Sequence, residues 1–363
     1  MRALSEIDSN SLSSKLCPEL NEWEEIASES KLEVAIIGLG KMGLLHSGIL
    51  NLLVPGIIRA IVDKSPLLTF GASRMVKSAK FYRNVEKMLR DIEPDAVYVT
   101  TPTGSHYSIT KTLLESGLRY VFVEKPPTVS FEQLRDLVSL KRKEQSVMVG
   151  FQKRYALTFR HAKMLLEEGA IGEVKEVKSY IKSGDILEPT TRFNALGRGV
   201  LLDLGVHLVD LLSYFFKIKG IAKAESKSIY TGVDDEFRAE LEAEDGFSVF
   251  MEASWSSQDF RVPETYIEIK GSDGTLMVTE DYLKFSHRAE EQSLEKSSEF
   301  SLYKPHYYKG IPPVNLADPE YTLENIHFIK SIVERRDPMT SLEGSYQTME
   351  LIDELYKEAK KTG

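Results

Sequence analysis

"VAIIGLGKMG", residues 34–43, opens on an apolar run and closes on three spaced glycines. An apolar run without polar alternation is the pattern of a strand buried on both faces. Gly38 to Gly43 fits G-x-G-x-x-G, and the residues beyond it, to about Leu53, read as a helix. Alone the pattern is weak, since ordinary loops produce it. Between a buried strand and a helix it stands where a dinucleotide fingerprint has to stand. Gly38, Gly40 and Gly43 permit a tight turn, close backbone approach to a pyrophosphate and close helix–sheet packing. The helix N-terminus favours the phosphate charge.

Outward from this turn, strand and helix patterns alternate. "GIIRAIVD" is the next strand and ends at Asp63, about 20 residues past Gly43. A carboxylate there bonds the adenosine ribose hydroxyls and repels a 2′-phosphate, which favours NAD; Lys64 partly offsets the repulsion and leaves NADP open. "DAVYVTTP" and "RYVFVEKP" follow, separated by a helix to about Ser116 that Gly117 closes. Ser130 with Gln133 forms a capping box for a helix to about Gln145, and "VMVGFQ" supplies another buried strand. Such alternation means right-handed βαβ units and a parallel sheet, a Rossmann domain over residues 31–150. "TTPTGSH", Thr100 to His106, lies at a strand's carboxyl end, where ligands sit in open parallel sheets. Ser105 also serves there as a helix cap.

The pattern changes at about residue 151. A helix over Leu157 to Glu168 ends at Gly169, and "GEVKEVKSYIKSG" is an irregular, strand-like run. Two hairpins follow, turning at Asp245-Gly246 and near Asp273-Gly274. Strands separated by turns predict a large, mostly antiparallel sheet with one packed and one open face, suited to a subunit interface. The tail, from about Thr322, is helical. The fold class is therefore α/β, with residues 151–363 as a second α/β domain for substrate and oligomerisation. Residues 1–30 read as an extension in which Leu16, Leu20, Trp23 and Ile26 share helical spacing and Glu22, Glu24 and Glu25 form a solvated face.

Composition narrows the function. The 363 residues carry a formal net charge of −9, which argues against a general nucleic-acid binder or attachment to an anionic membrane. No apolar run approaches the roughly 20 residues that span a bilayer. The N-terminal stretch lacks the apolar core of a signal peptide. Cys17 is the single cysteine, so neither an intrachain disulfide nor a cysteine zinc cluster is available, and a cytoplasmic setting is expected.

"GRGVLLDLGVHLVDLL", residues 197–212, is an apolar helix interrupted by Asp203, His207 and Asp210. At i, i+4 and i+7 these share one α-helical face, a costly stripe unless something meets it. Oxidising a secondary alcohol needs a group that takes the hydroxyl proton, and the near-neutral imidazole of His207 suits that task. Asp203 can orient the imidazole and bind a neighbouring hydroxyl. Lys125, after the strand in "VFVEKPPT", can polarise the substrate oxygen from the other domain. A buried structural histidine is the plainer alternative. No second cluster with ligand spacing supports a metal. Asp210 reads as structural. Arg198, Lys153, Arg154 and Lys182 are further basic candidates for the cleft, with Lys182 taken as a substrate contact.

"GLGKMGLLH", "TPTGSH", "EKPPTVS", "GRGVLLDLGVHLVDLL" and "IEIKGSDGTL" together resemble the glucose–fructose oxidoreductase / inositol dehydrogenase / rhizopine catabolism (Gfo/Idh/MocA) family, from about Lys31 to the C-terminus. The resemblance implies Lys125, Asp203 and His207 as the catalytic group. It implies that Leu39, Gly40, Lys41, Met42, Asp63, Thr101, Pro102, His106 and Glu124 line the cofactor. It further implies a dimer or tetramer through the open sheet, and a sugar, inositol, sugar phosphate or nucleotide sugar as substrate. Thr103, where asparagine is frequent, and Arg198, inside the glycine run, depart from the family pattern. The expected function is hydride transfer between NAD(P) and a ring carbon. A non-catalytic nucleotide or sugar sensor, and a dehydrogenase of a non-sugar diol, are the alternatives on the same scaffold.

Overall fold

The computed structural model describes residues 18–20, 22–29, 31–191, 193–287, 298–303 and 319–362. Leu16 and Cys17 lie outside them. Two compact units divide the chain, the first built from residues up to 155 with 306–346, the second from 156–305 with 347–363. The expected boundary near residue 150 lies close to this division, but the expected second domain over 151–363 differs from it, because residues 306–346 fall in the first unit. The chain returns to the first unit after the second sheet, then finishes in the second.

In the first unit, β1 (Val34–Ile37), β2 (Ile58–Val62), β3 (Lys80–Tyr82), β4 (Ala96–Val99), β5 (Tyr120–Glu124) and β6 (Ser146–Gly150) form a parallel sheet in the order β3-β2-β1-β4-β5-β6. That is the doubly wound Rossmann order, with its switch point between β1 and β4. Every residue of β1, β4, β5 and β6 is buried, as the unbroken apolar runs predict. β3 escapes the sequence reading because Lys80-Phe81-Tyr82 is short and lies at the sheet edge.

The helices of this unit are α1 (Trp23–Glu29), α2 (Lys41–Leu53), α3 (Pro66–Met75), α4 (Val85–Asp91), α5 (His106–Glu115) and α6 (Phe131–Leu140). Ser130 caps α6 by accepting from the Gln133 N–H at 3.3 Å, but the helix ends at Leu140, short of the expected Gln145. α9 (Pro319–Val333) packs into the same unit. Phe328 meets the Tyr98 and Phe122 rings edge-on at 5.3 and 5.7 Å, and the Val149 N–H donates to Thr340 O at 2.7 Å. The short N-terminal segment joins this unit through buried Glu19, 3.4 Å from His327 Nδ1.

The second unit holds an eight-stranded sheet: β7 (Val174–Lys182), β8 (Ile218–Lys227), β9 (Glu236–Ala243), β10 (Ser248–Ser254), β11 (Glu264–Gly271), β12 (Gly274–Thr279), β13 (Tyr282–His287) and β14 (Ser298–Tyr303). All pairs are antiparallel except β7 with β10. The "irregular" run is thus a regular central strand. Its alternation is plain: Val177 and Ile181 are fully buried, while Lys178, Tyr180 and Lys182 point to the other face. α7 (Leu157–Glu167) covers the buried face, with the Thr158 hydroxyl donating to Thr279 O at 2.6 Å. A π-helical turn, Leu201–Gly205, leads into α8 (Val206–Phe215), and α10 (Tyr346–Thr362) completes the unit. No helix among the described residues is long and apolar enough to cross a membrane.

Candidate functional site

At the switch point of the first unit, Gly38 turns with φ +99°, and a Cβ on Gly43 would lie 1.8 Å from Gly38 O. The Thr100 hydroxyl donates to that same carbonyl at 2.8 Å and locks it. Gly40 is different: a Cβ there meets nothing within 4 Å. It is also the N-cap of α2, with no side-chain cap on the first turn of N–H groups. An uncapped helix start with open space above it is the cradle a pyrophosphate fills, so the chain fits a dinucleotide.

Asp63 stands beside the turn, accepting from the Leu39 N–H at 2.6 Å and the Ser65 N–H at 2.7 Å. Leu39 itself is fully buried, so only its backbone faces the turn, whereas Lys41 is exposed and Met42 half-buried. Ser105 and Thr101 join by hydroxyls 2.8 Å apart, and Pro102 is exposed. His106 is turned inward, with Nδ1 2.8 Å from Pro126 O and Nε2 2.7 Å from Thr101 O. Burial holds its pKa below the usual histidine value. Its ring lies between the loop after β4 and the loop after β5, and in the neutral form it donates to one of the two carbonyls.

Glu124 is 5% exposed, and both its oxygens are engaged inside the unit. Oε1 lies 2.7 Å from His46 Nε2, and Oε2 accepts from the Lys125 backbone N–H at 3.2 Å. Lys125 follows it as a half-buried residue at the carboxyl end of β5. The sequence reading assigned no role to His46, although it ends the quoted "GLGKMGLLH"; only its distance from Gly43 on α2 signalled that it points into the unit.

Behind these groups Glu324, on α9, is fully buried, and neither carboxylate oxygen has a hydrogen-bond partner among the described residues. Burial first, then the charges of Glu124 and Glu320, push its pKa well above the usual glutamate value. As pH rises past the unfolded carboxyl value, about 4.3, the unfolded chain loses a proton that the folded chain keeps, so this group's contribution to stability falls. Glu324→Gln is expected to raise Tm relative to wild type by at least about 3 °C at pH 8, with the gap closing by pH 4. Thermal melts at the two pH values check it.

In the second unit the quoted helix departs from the expected regular α-helix. Asp203 lies on the π-helical turn and His207 on α8, so the two are not one α-turn apart on a single regular stripe. Asp203 is half-buried, while His207 and Asp210 are 5% and 1% exposed. Asp210 accepts from the Thr348 hydroxyl at 3.2 Å, in keeping with a structural role. The start of the helix is tied down by buried Asp234, which accepts from Gly199 N–H at 2.7 Å and Leu201 N–H at 2.9 Å. Burial raises the pKa of Asp234. This anchor, 30-odd positions downstream of its helix, has no local signature in the sequence.

Two basic candidates are accounted for elsewhere. Lys182 pairs with Glu252 at 2.8 Å on the open face of the sheet. Gly205 approaches Ala253 on the opposite face, so the structure does not bring Lys182 to Asp203 and His207, contrary to expectation. Arg198 pairs with Asp353 and lies 4.9 Å over the Tyr356 ring.

Residues 32–151 match the family described as "Oxidoreductase family, NAD-binding Rossmann fold", and residues 159–277 match the "GFO/IDH/MocA C-terminal domain". Among curated proteins, scyllo-inositol 2-dehydrogenase (NAD(+)) of Bacillus subtilis is 30% identical over 190 residues, 51% of this chain and 54% of that one. D-glucoside 3-dehydrogenase of Escherichia coli is 26% identical over 211 residues, 55% of this chain and 58% of that one. The chain spans about half the length of the curated relatives it matches. Among solved structures, levoglucosan dehydrogenase with NADH and levoglucosan superposes with TM-score 0.79 at 21% identity, over 91% of this chain and 97% of that one. An oxidoreductase from Agrobacterium radiobacter with NAD+, L-tartaric acid and magnesium gives 0.79 at 18% identity, over 92% and 98%. These structural likenesses speak for the fold.

Proposed function

This chain belongs to the Gfo/Idh/MocA family of oxidoreductases, and from that premise we propose that it transfers a hydride between NAD and a ring carbon of a sugar, an inositol or a sugar derivative. The observation that carries the reading is the open, uncapped start of α2 at Gly40, with Asp63 held beside it. The backbone of 38–43 would hold the pyrophosphate and Asp63 the ribose. NAD, when bound, supplies the hydride acceptor. The chain's own residues supply the rest by chemistry. His207 takes the proton of the reacting hydroxyl, Asp203 orients the imidazole or holds an adjacent hydroxyl, and Lys125 stabilises the developing alkoxide. Two polar groups, one on the π-turn and one on the α8 that follows it, suit neighbouring hydroxyls, which supports a polyol. Lys182 is left out of this group.

The relatives acting on inositols and glucosides support the same substrate class. By the same reading the chain is a homodimer or homotetramer through the open face of the second sheet, which light scattering tests. Calorimetric titration with NADH and NADPH is expected to give binding, tighter for NADH. No response to either nucleotide removes the proposal. An NAD-linked screen against free, phosphorylated and nucleotide-linked sugars and inositols then identifies the substrate.

A further inference from the structure

Behind Lys125 lies a chain of buried polar groups that the reaction as drawn does not use. His46 is fully buried on α2, with Nε2 2.7 Å from Glu124 Oε1. On its other side the Asn325 side chain approaches Nδ1, its amide nitrogen at 2.9 Å and its oxygen at 3.2 Å. The same amide nitrogen donates to Tyr321 O at 2.7 Å. A backbone carbonyl only accepts, so it fixes which end of the amide is nitrogen, and the second N–H of that nitrogen is aimed at Nδ1. With Nδ1 as the acceptor, the imidazole carries its proton on Nε2. That proton goes to Glu124 Oε1, and Glu124 is kept as an acceptor. Its second oxygen takes the backbone N–H of Lys125.

The surroundings are cut to fit. Gly150 pairs with Glu124 across β5 and β6, and a Cβ on Gly150 would sit 3.2 Å from Glu124 Oε2 and 3.1 Å from the Phe122 ring. The His46 ring packs edge-on against Phe122 at 4.9 Å and tilted against Tyr98 at 5.6 Å, which leaves it little room to turn. A polar side chain buried this completely costs stability unless its bonds are met, and here Nδ1 meets Asn325 while Nε2 meets Glu124, the residue before Lys125.

We propose that His46, with its tautomer set by Asn325, is a positioning residue: it holds the Glu124 carboxylate from behind, and Glu124 fixes the backbone from which the Lys125 side chain departs. The proposal deepens the reading of Lys125 as a catalytic group, and its test needs no substrate. A failure to find turnover therefore counts against the proposed function and leaves this test standing.

Two measurements decide it. Nitrogen-15 NMR of the imidazoles, with the His46 signals assigned by their loss in His46→Gln, is expected to show Nε2 protonated and Nδ1 bare. Asn325→Leu removes the amide and is expected to let the Nδ1–H form appear. A protonated Nδ1 in the unmutated chain overturns the proposal, and that reading requires no variant beyond the assignment. The second measurement is the rate of acetylation of Lys125 by sulfo-N-hydroxysuccinimide acetate, read by mass spectrometry against exposed Lys64 and Lys80. His46→Leu is expected to raise the Lys125 rate at least threefold with the reference lysines unchanged. His46→Gln, whose amide N–H can still reach Glu124, is expected to restore it to within twofold. An unchanged rate in folded His46→Leu, or equal rates in the two variants, overturns the positioning role.

Discussion

Turnover is expected to fall by about 10²–10⁴-fold when His207 is replaced by alanine, with NADH bound as tightly as in the unmutated chain. The glycine turn, Asp63 and the α2 N-terminus all lie in the first unit, whereas His207 lies on α8 of the second. Removing the imidazole takes away the proposed proton acceptor and leaves the nucleotide cradle intact. Lys125→Ala is expected to cost about 10²–10³-fold in kcat, the usual penalty for a lost stabiliser of developing negative charge. Lys182→Ala serves as the control, since its ammonium is paired with Glu252 on the open face of the sheet; its kcat is expected within about twofold of wild type. Steady-state kinetics on the substrate found by screening, beside NADH titration, separates the cases. If His207→Ala turns over normally, the imidazole is a core residue and the proton goes elsewhere.

The second large effect belongs to the turn. Gly43→Ala places a methyl 1.8 Å from Gly38 O and 2.9 Å from Thr100 Oγ1, and the Thr100 hydroxyl already pins that carbonyl. Overpacking against side chains typically costs about 1–3 kcal/mol; against immovable backbone the upper end or more is expected, a drop in Tm of roughly 6–10 °C. NADH affinity should fall at least a hundredfold, because the loop that carries the phosphate must shift. Gly40→Ala gives the contrast. Its methyl meets nothing in the folded chain, so Tm should hold while NADH affinity drops. A pair of melts and a pair of titrations distinguish a glycine kept for packing from one kept for the ligand. If Gly43→Ala retains both stability and affinity, the turn is looser than its contacts imply.

What could be read from the sequence follows how local each signal is. β1 and the turn after it were legible because a buried parallel strand and its glycines are contiguous. Both hairpins were legible at their turns, and Gly246 takes φ +85° as a tight turn requires. The edge strand β3 and the long β8 were not, because short or polar strands lose the periodic signal. In the site, the polar residues of 203–210 stood out against leucines, but the π-turn that carries Asp203 did not, since a widened turn leaves no mark in composition. His46 and Asn325 are 279 positions apart, and Asp234 bonds backbone at Gly199, 35 positions away. Partners at such distance are brought together only by the completed fold.

The interleaving of the chain bears on how the protein is made. A nascent chain that has emerged only to Tyr155 carries all six strands of the first sheet, yet it lacks Asn325 behind His46, Phe328 against Tyr98 and Phe122, and Thr340 on the Val149 amide. The nucleotide half is thus left unfinished until nearly the whole polypeptide has been synthesised. The second sheet lies in the chain as an insertion between the two segments of the first unit, and the last helix of its unit is the last to be synthesised. Cutting the gene at the sequence boundary near residue 150 would release a first fragment without residues 306–346 and a second that carries that segment apart from the sheet it completes. An exchange of nucleotide halves between relatives has to move two separate segments together.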